Sequence, residues 1–177
     1  MATIPKPIDA TTIEGWLRDM QCDPHRGIDP TANWRFEVDY PPNSQTKISV
    51  LNPKKPARAL VVFCAMNLSP IHVAAYEGLD PTEKKDFALD LQVALNRDYI
   101  EFQLVGIDPT KLTCPTGVQI LSVLFDDGLS LNALAHRMTC VLKAILAGTL
   151  SINRYLGPQV DSGGSGQFDF RRLGTIQ

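Results

Sequence analysis

The sequence predicts an α+β fold, an antiparallel sheet of about five strands with helices packed against it, in the order helix, three strands, helix, two strands, helix. Three observations carry that expectation. From Trp34 to Tyr40 every second residue is apolar and the intervening ones are charged, which is the period of a strand with one face in a core. Asp80-Pro81-Thr82-Glu83 is a helix start: an N-cap acid, a proline whose missing N–H does no harm at the first position, and an acid near the positive helix end. Leu131, Leu134, Met138, Val141, Leu142 and Ile145 recur at helical spacing and predict a long final helix running towards Ile152.

The elements follow in order. Thr11-Thr12-Ile13-Glu14 sets a hydroxyl three residues before a glutamate, the spacing of a capping box. Ile13, Trp16, Leu17 and Met20 then form one apolar face, and Asp23-Pro24 stops this helix after Cys22. In the strand at 34–40, Trp34, Phe36, Val38 and Tyr40 are expected to face the core, and Arg35, Glu37 and Asp39 to face water. Pro41-Pro42-Asn43-Ser44 is turn material, and Lys47 to Leu51 resumes with Ile48 and Val50 in phase as the hairpin partner. Asn52-Pro53-Lys54-Lys55-Pro56 breaks the chain again. Ala59 to Met66 is a continuous apolar run, expected of a central strand covered more fully than its neighbours.

The helix that starts at Asp80 carries Phe87, Leu91, Ala94 and Leu95 on one face and extends to around Arg97, with Lys84, Lys85, Asp86 and Gln92 outside. Ile100 to Val105 alternates, Gly106-Ile107-Asp108-Pro109 turns the chain, and Val118 to Phe125 is a further β-rich run. Asp126-Asp127-Gly128 ends that strand and Ser130 caps the last helix. The expected organisation is one domain over 1–156 and a flexible C-terminal tail over 157–177, in which Gly163-Gly164-Ser165-Gly166 precedes the cluster Phe168 to Leu173.

At 177 residues the chain is long enough for one core. Seventeen Lys and Arg against 19 Asp and Glu leave a formal charge of −2, with no field to recruit nucleic acid or an anionic membrane. Lys47, Lys54, Lys55 and Arg58 have no interleaved aromatics and read as a solvated edge rather than an RNA platform. Residues 1–12 lack the basic and apolar regions of a signal peptide, so a cytoplasmic protein is expected, with Cys22, Cys64, Cys114 and Cys140 as reduced thiols. The apolar stretch from Leu129 to Ile152 carries Asn132, His136, Arg137 and Lys143, which are costly at a bilayer centre, and it reads as a buried helix of a soluble protein.

No motif announces chemistry. His25, His72 and His136 belong to no recognisable zinc pattern, and nothing in their context marks any of the cysteines as a nucleophile. Asp126-Asp127 reads as turn and cap rather than the start of a magnesium site, and the glycine cluster at 163–166 lacks the lysine of a phosphate-binding loop. The expectation is a chain that is not an enzyme, with no catalytic, cofactor-binding or metal residues and no cofactor.

The order of elements over residues 12–152 resembles the fold of type III secretion chaperones. The turn Val38-Asp39-Tyr40-Pro41-Pro42 leading into a short strand also resembles an uncharacterised prokaryotic family thought to share that fold. The resemblance implies a small cytosolic homodimer that binds an extended segment of another protein and carries no catalytic residues. This chain is less acidic than such chaperones usually are. Two functional readings follow. One is protein association through apolar sheet and helix surface, in a chaperone- or adaptor-like role. The other is a small-molecule-binding protein or enzyme with a site between the sheet and the last helix, using His136 and Cys140, which stand four positions apart and share a helix face.

Overall fold

The computed structural model describes residues 8–106 and 113–158. In chain order the elements are α1 (Ala10–Asp19), β1 (His25–Gly27), β2 (Ala32–Asp39), β3 (Lys47–Pro53), β4 (Ala59–Asn67), α2 (Pro70–Glu77), α3 (Pro81–Leu95), β5 (Glu101–Val105), β6 (Gly117–Phe125) and α4 (Leu131–Leu156), with a 3-10 turn at Asp126–Gly128 before α4. The six strands lie in the order β1-β2-β3-β4-β6-β5, and every neighbouring pair is antiparallel. The α+β class and the antiparallel sheet therefore stand, with six strands where about five were expected. Tail residues from 159 onward and turn residues Ile107, Asp108 and Pro109 lie outside the described residues.

Local chemistry sets the helix starts. Asp80 Oδ1 accepts from the backbone N–H groups of Thr82 (2.7 Å) and Glu83 (2.9 Å), and Glu83 Oε2 accepts from the Asp80 N–H (2.9 Å), a complete capping box for α3. Ser130 Oγ accepts from the Ala133 N–H at 3.1 Å and caps α4 as expected. At α1 the expectation is corrected: the cap is Asp9, which accepts from Thr12 N–H at 3.0 Å, while Glu14 pairs with Arg18 at 2.9 Å one turn along. That helix ends at Asp19, and Gln21 takes a left-handed φ of 61° before the proline is reached.

All the described helices pack on one side of the sheet. Alternate residues of the strands, Phe36, Val38, Ile48, Val50, Leu60, Val62, Val118, Ile120 and Leu124, meet Ile13 and Leu17 of α1, Phe87, Leu91 and Leu95 of α3, and Leu134, Met138, Val141 and Ile145 of α4 in one core. Trp34 is half-buried at its edge, its indole N–H donating to Ile8 O at 2.8 Å. Tyr40, also half-buried, ties the end of β2 to α4 by a 3.0 Å hydrogen bond between its hydroxyl and Thr139 Oγ1. Asn52, read from sequence as a breaker, is fully buried at the end of β3. Its amide donates to Ala57 O (2.8 Å) and Ala59 O (2.7 Å), and its oxygen accepts from Asn33 Nδ2 (2.7 Å), so it holds the β3–β4 turn closed.

Gly148 of α4 packs closely against β4 and α3. A Cβ there would lie 3.0 Å from Met66 Cε and 3.2 Å from Leu95 Cδ2, so a branched side chain makes the Met66 and Leu95 side chains shift. Gly148→Val is expected to cost about 1–3 kcal/mol, read as a lowered midpoint in urea denaturation.

Candidate functional site

Strand alternation puts a second set of side chains on the side of the sheet that carries no helix among the described residues. The register aligns Arg35 with Leu51, Leu51 with Val61 and Val61 with Val123 in one row across the strands. The next row runs Glu37, Ser49, Phe63, Leu121 and Glu101. Leu51, Val61, Phe63, Leu121 and Val123 thus form a contiguous apolar area over β3, β4 and β6, each of them only half-buried. This corrects the expectation for β4. Leu60, Val62 and Cys64 are buried, while Val61 and Phe63 are not and Ala65 is exposed, so the strand is covered on one face only.

The rim of this area is polar and partly self-neutralised. Arg35 Nη2 donates to Glu37 Oε1 at 2.7 Å and to Ser49 Oγ at 3.0 Å, and its Nη1 lies 3.8 Å from Asp29 Oδ2. Arg35 and Glu37 were expected on the water side of β2 and stand on the helix-free face, where Arg35 is only a quarter exposed and its Nε is buried without a partner. The Asp29 carboxyl sits below its ordinary range, chiefly because Thr31 donates side-chain and backbone hydrogen bonds to it, with Arg35 adding to the effect. Glu101 and Gln103 form the rim on β5.

The residues singled out for chemistry are scattered. His25 is an exposed residue of β1, 3.5 Å from Asp23, and His72 is buried in α2 with Nε2 3.3 Å from Gly157 O. No group of three or more His, Cys, Asp or Glu able to hold a metal occurs among the described residues. Burial pushes the thiols of Cys64 and Cys114 up to about 11, and Cys22 is also raised, first by burial and then by Asp39. His136 and Cys140 do meet, with Nε2 and Sγ 3.6 Å apart. They do so on the outer flank of α4. The space between sheet and α4, where the alternative reading placed a site, is filled by Leu134, Met138, Val141 and Ile145. α4 has the length and apolar content to cross a membrane, and its apolar stripe is packed into that same core.

An open cleft of ≈ 630 Å³ lies at the end of β6, lined by Lys54, Lys55, Arg58, Phe125, Asp126 and Asp127. Three of its charged groups are engaged: Lys54 Nζ donates to Pro30 O at 2.7 Å and Arg58 Nε to Asp126 Oδ2 at 2.7 Å. Asp126 therefore serves an ion pair rather than capping α4, and the hydrogen bond from Arg58 lowers its carboxyl below the ordinary range. A depressed folded-state pKa contributes stability above the unfolded value that is lost as pH falls through the folded one. Carboxyl-carbon NMR titration is expected to show Asp126 releasing its proton at lower pH in the wild type than in Arg58→Ala.

Comparisons place this geometry among known folds. No curated protein matches the chain. The crystal structure of an uncharacterized protein from Methanothermobacter thermautotrophicus is similar over 82% of this chain and 97% of that one, at 24% identity and a TM-score of 0.72, which shows a shared fold. A chain of the HopA1-SchA chaperone-effector complex aligns over 80% of this chain and 98% of its own, at 9% identity and a TM-score of 0.45. The profile of one family, described as uncharacterized conserved protein (DUF2299), matches residues 9–152, from the cap of α1 almost to the end of α4. With the match covering most of its length, the chain belongs to the DUF2299 family of uncharacterized conserved proteins.

Proposed function

We propose that the chain is a non-enzymatic, cytoplasmic protein-association domain that acts as a homodimer, two copies meeting through their bare sheet faces. One observation carries the reading: Leu51, Val61, Phe63, Leu121 and Val123 form an apolar centre on a sheet that, among the described residues, is layered by helices on its other side alone. Antiparallel sheets tolerate one solvated face, but that face is then polar at alternate positions, and here its middle is not. Two such faces stacked about 10 Å apart would give a closed sandwich. A two-fold axis along β4 lays β3 of one copy over β6 of the other and sets the Arg35–Glu37 pair beside Glu101 and Gln103, so the rims meet polar to polar.

The finer role, a chaperone or adaptor that holds an extended segment of another protein, belongs to the same proposal and is supported by the order of elements noted from sequence. The direct test is native mass by light scattering across a concentration series. Twice the 19.5 kDa of one chain supports the reading, and a single-chain mass throughout the series sinks it.

A further inference from the structure

We propose that Cys140 and His136 form a thiol-exchange site on the outer flank of α4, taking low-molecular-weight disulfides. The pairing follows from the helix: positions four apart project on the same side, and here they bring Sγ to 3.6 Å from the imidazole Nε2. A thiol within reach of an imidazole is the pairing by which proteins turn a weak nucleophile into a useful one. The imidazole is itself held from the loop before β5. Tyr99 packs against the His136 ring edge-on at 5.8 Å between centroids, and the Arg137 guanidinium lies 3.8 Å over the Tyr99 ring. Tyr99 is fixed in turn, because its carbonyl accepts from Ser122 Oγ at 2.6 Å.

The other thiols lack this arrangement. Cys22, Cys64 and Cys114 donate to backbone carbonyls of Met20 (3.8 Å), Ala65 (3.8 Å) and Pro115 (3.4 Å), and the first two are buried. Cys140 is half-exposed beside an exposed His136. Because α4 lies on the helical side of the sheet, pairing of two copies through the bare faces leaves this flank open, and the two proposals fail independently.

The step balances without another reagent. Cys140 Sγ attacks one sulfur of the disulfide while its S–H bond breaks and the proton passes to Nε2 of the His136 tautomer that carries its hydrogen on Nδ1. A new S–S bond joins Cys140 to one half of the reagent. The reagent's own S–S bond breaks, and the departing thiolate takes the proton from His136 and leaves as a thiol. Cys140 is oxidised to the mixed disulfide and the departing half is reduced.

The test uses the full chain and glutathione disulfide at neutral pH, followed by intact mass and peptide mapping over time. The expected result is a first adduct on Cys140, with Cys22, Cys64 and Cys114 modified later, and loss of that first adduct in Cys140→Ser. His136→Asn is expected to slow the adduct about tenfold, the loss of a positioned proton acceptor, while its circular dichroism and melting stay those of the wild type. A first adduct on another cysteine, no adduct on any, or a wild-type rate in His136→Asn overturns the proposal.

Discussion

On the proposed pairing, Phe63→Glu is expected to run as a single folded chain in light scattering at concentrations where the wild type is expected to run as a pair. Phe63 sits on β4 between Ser49 and Leu121, at the middle of the bare face, and it is only half-buried within one copy. A glutamate there keeps access to water in the single chain, so the fold is not what the substitution attacks. In the paired form the same carboxylate would be enclosed against Leu51, Val61, Leu121 and Val123 of two copies, and the cation beside it, Arg35 at Ser49, is already paired with Glu37. Losing the aromatic contact and enclosing an unpartnered charge together cost about 4 kcal/mol, or roughly a thousandfold in dissociation constant. Leu150→Glu is the control, since Leu150 is an exposed residue of α4 on the other side of the molecule, and it should leave the mass of the pair unchanged. If Phe63→Glu pairs as tightly as the wild type, the sheet face is not the interface.

The largest expected loss of stability is at Asn52. Asn52→Leu removes the donor to Ala57 O and Ala59 O and the acceptor for Asn33, at a position with no access to water. Two carbonyls are left without their partner and the turn that joins β3 to β4 loses its internal tie. Each buried group stranded in this way costs about 1–3 kcal/mol, so a total of about 4 kcal/mol is expected, read as a shifted denaturant midpoint at constant slope. Asn52→Asp should not rescue it. A carboxylate cannot donate to the two carbonyls, and their oxygens would face it directly. A change of under about 1 kcal/mol in Asn52→Leu would show that the turn is held by something else.

How much of this was legible in the sequence follows from what each element needs. β2 was plain because Trp34 to Tyr40 alternates without a break, and α3 was plain because Asp80, Pro81 and Glu83 state its start in side-chain chemistry. β1 is three residues long, too short for any period to show. α2 does carry a start signal, a Ser69 cap that accepts from the His72 N–H followed by Pro70, but its eight residues hold little amphipathic contrast against the apolar strand before it. Asn52 was misread because a polar residue beside proline looks like a loop until the carbonyls it serves are known.

The bare face was half legible. Ala59 to Met66 announces itself as apolar on both sides, yet a doubly apolar strand has the same sequence whether its second face is covered by the same chain or by another. The patch itself depends on β6 rather than β5 lying next to β4, so that Leu121 and Val123 meet Phe63 and Val61. That adjacency is a property of topology, and no local pattern contains it. The Cys140–His136 pair was visible as two residues on one helix face, whereas Tyr99 and Arg137, which steady it, are brought together only by the fold of the loop onto α4.

The lengths of the two outer strands govern what kind of assembly the protein can build. β1 contributes three residues and β5 five, against eight or nine in β2, β4 and β6. A long outer strand would offer a ladder of free backbone groups to the next molecule, which would offer its own in turn, and such end-to-end growth has no natural stopping point. Ladders this short hold a newcomer by only a few hydrogen bonds. Stacking through the broad face, by contrast, uses up that face in both molecules at once. On the proposed pairing, then, assembly terminates at two chains rather than lengthening into a fibre.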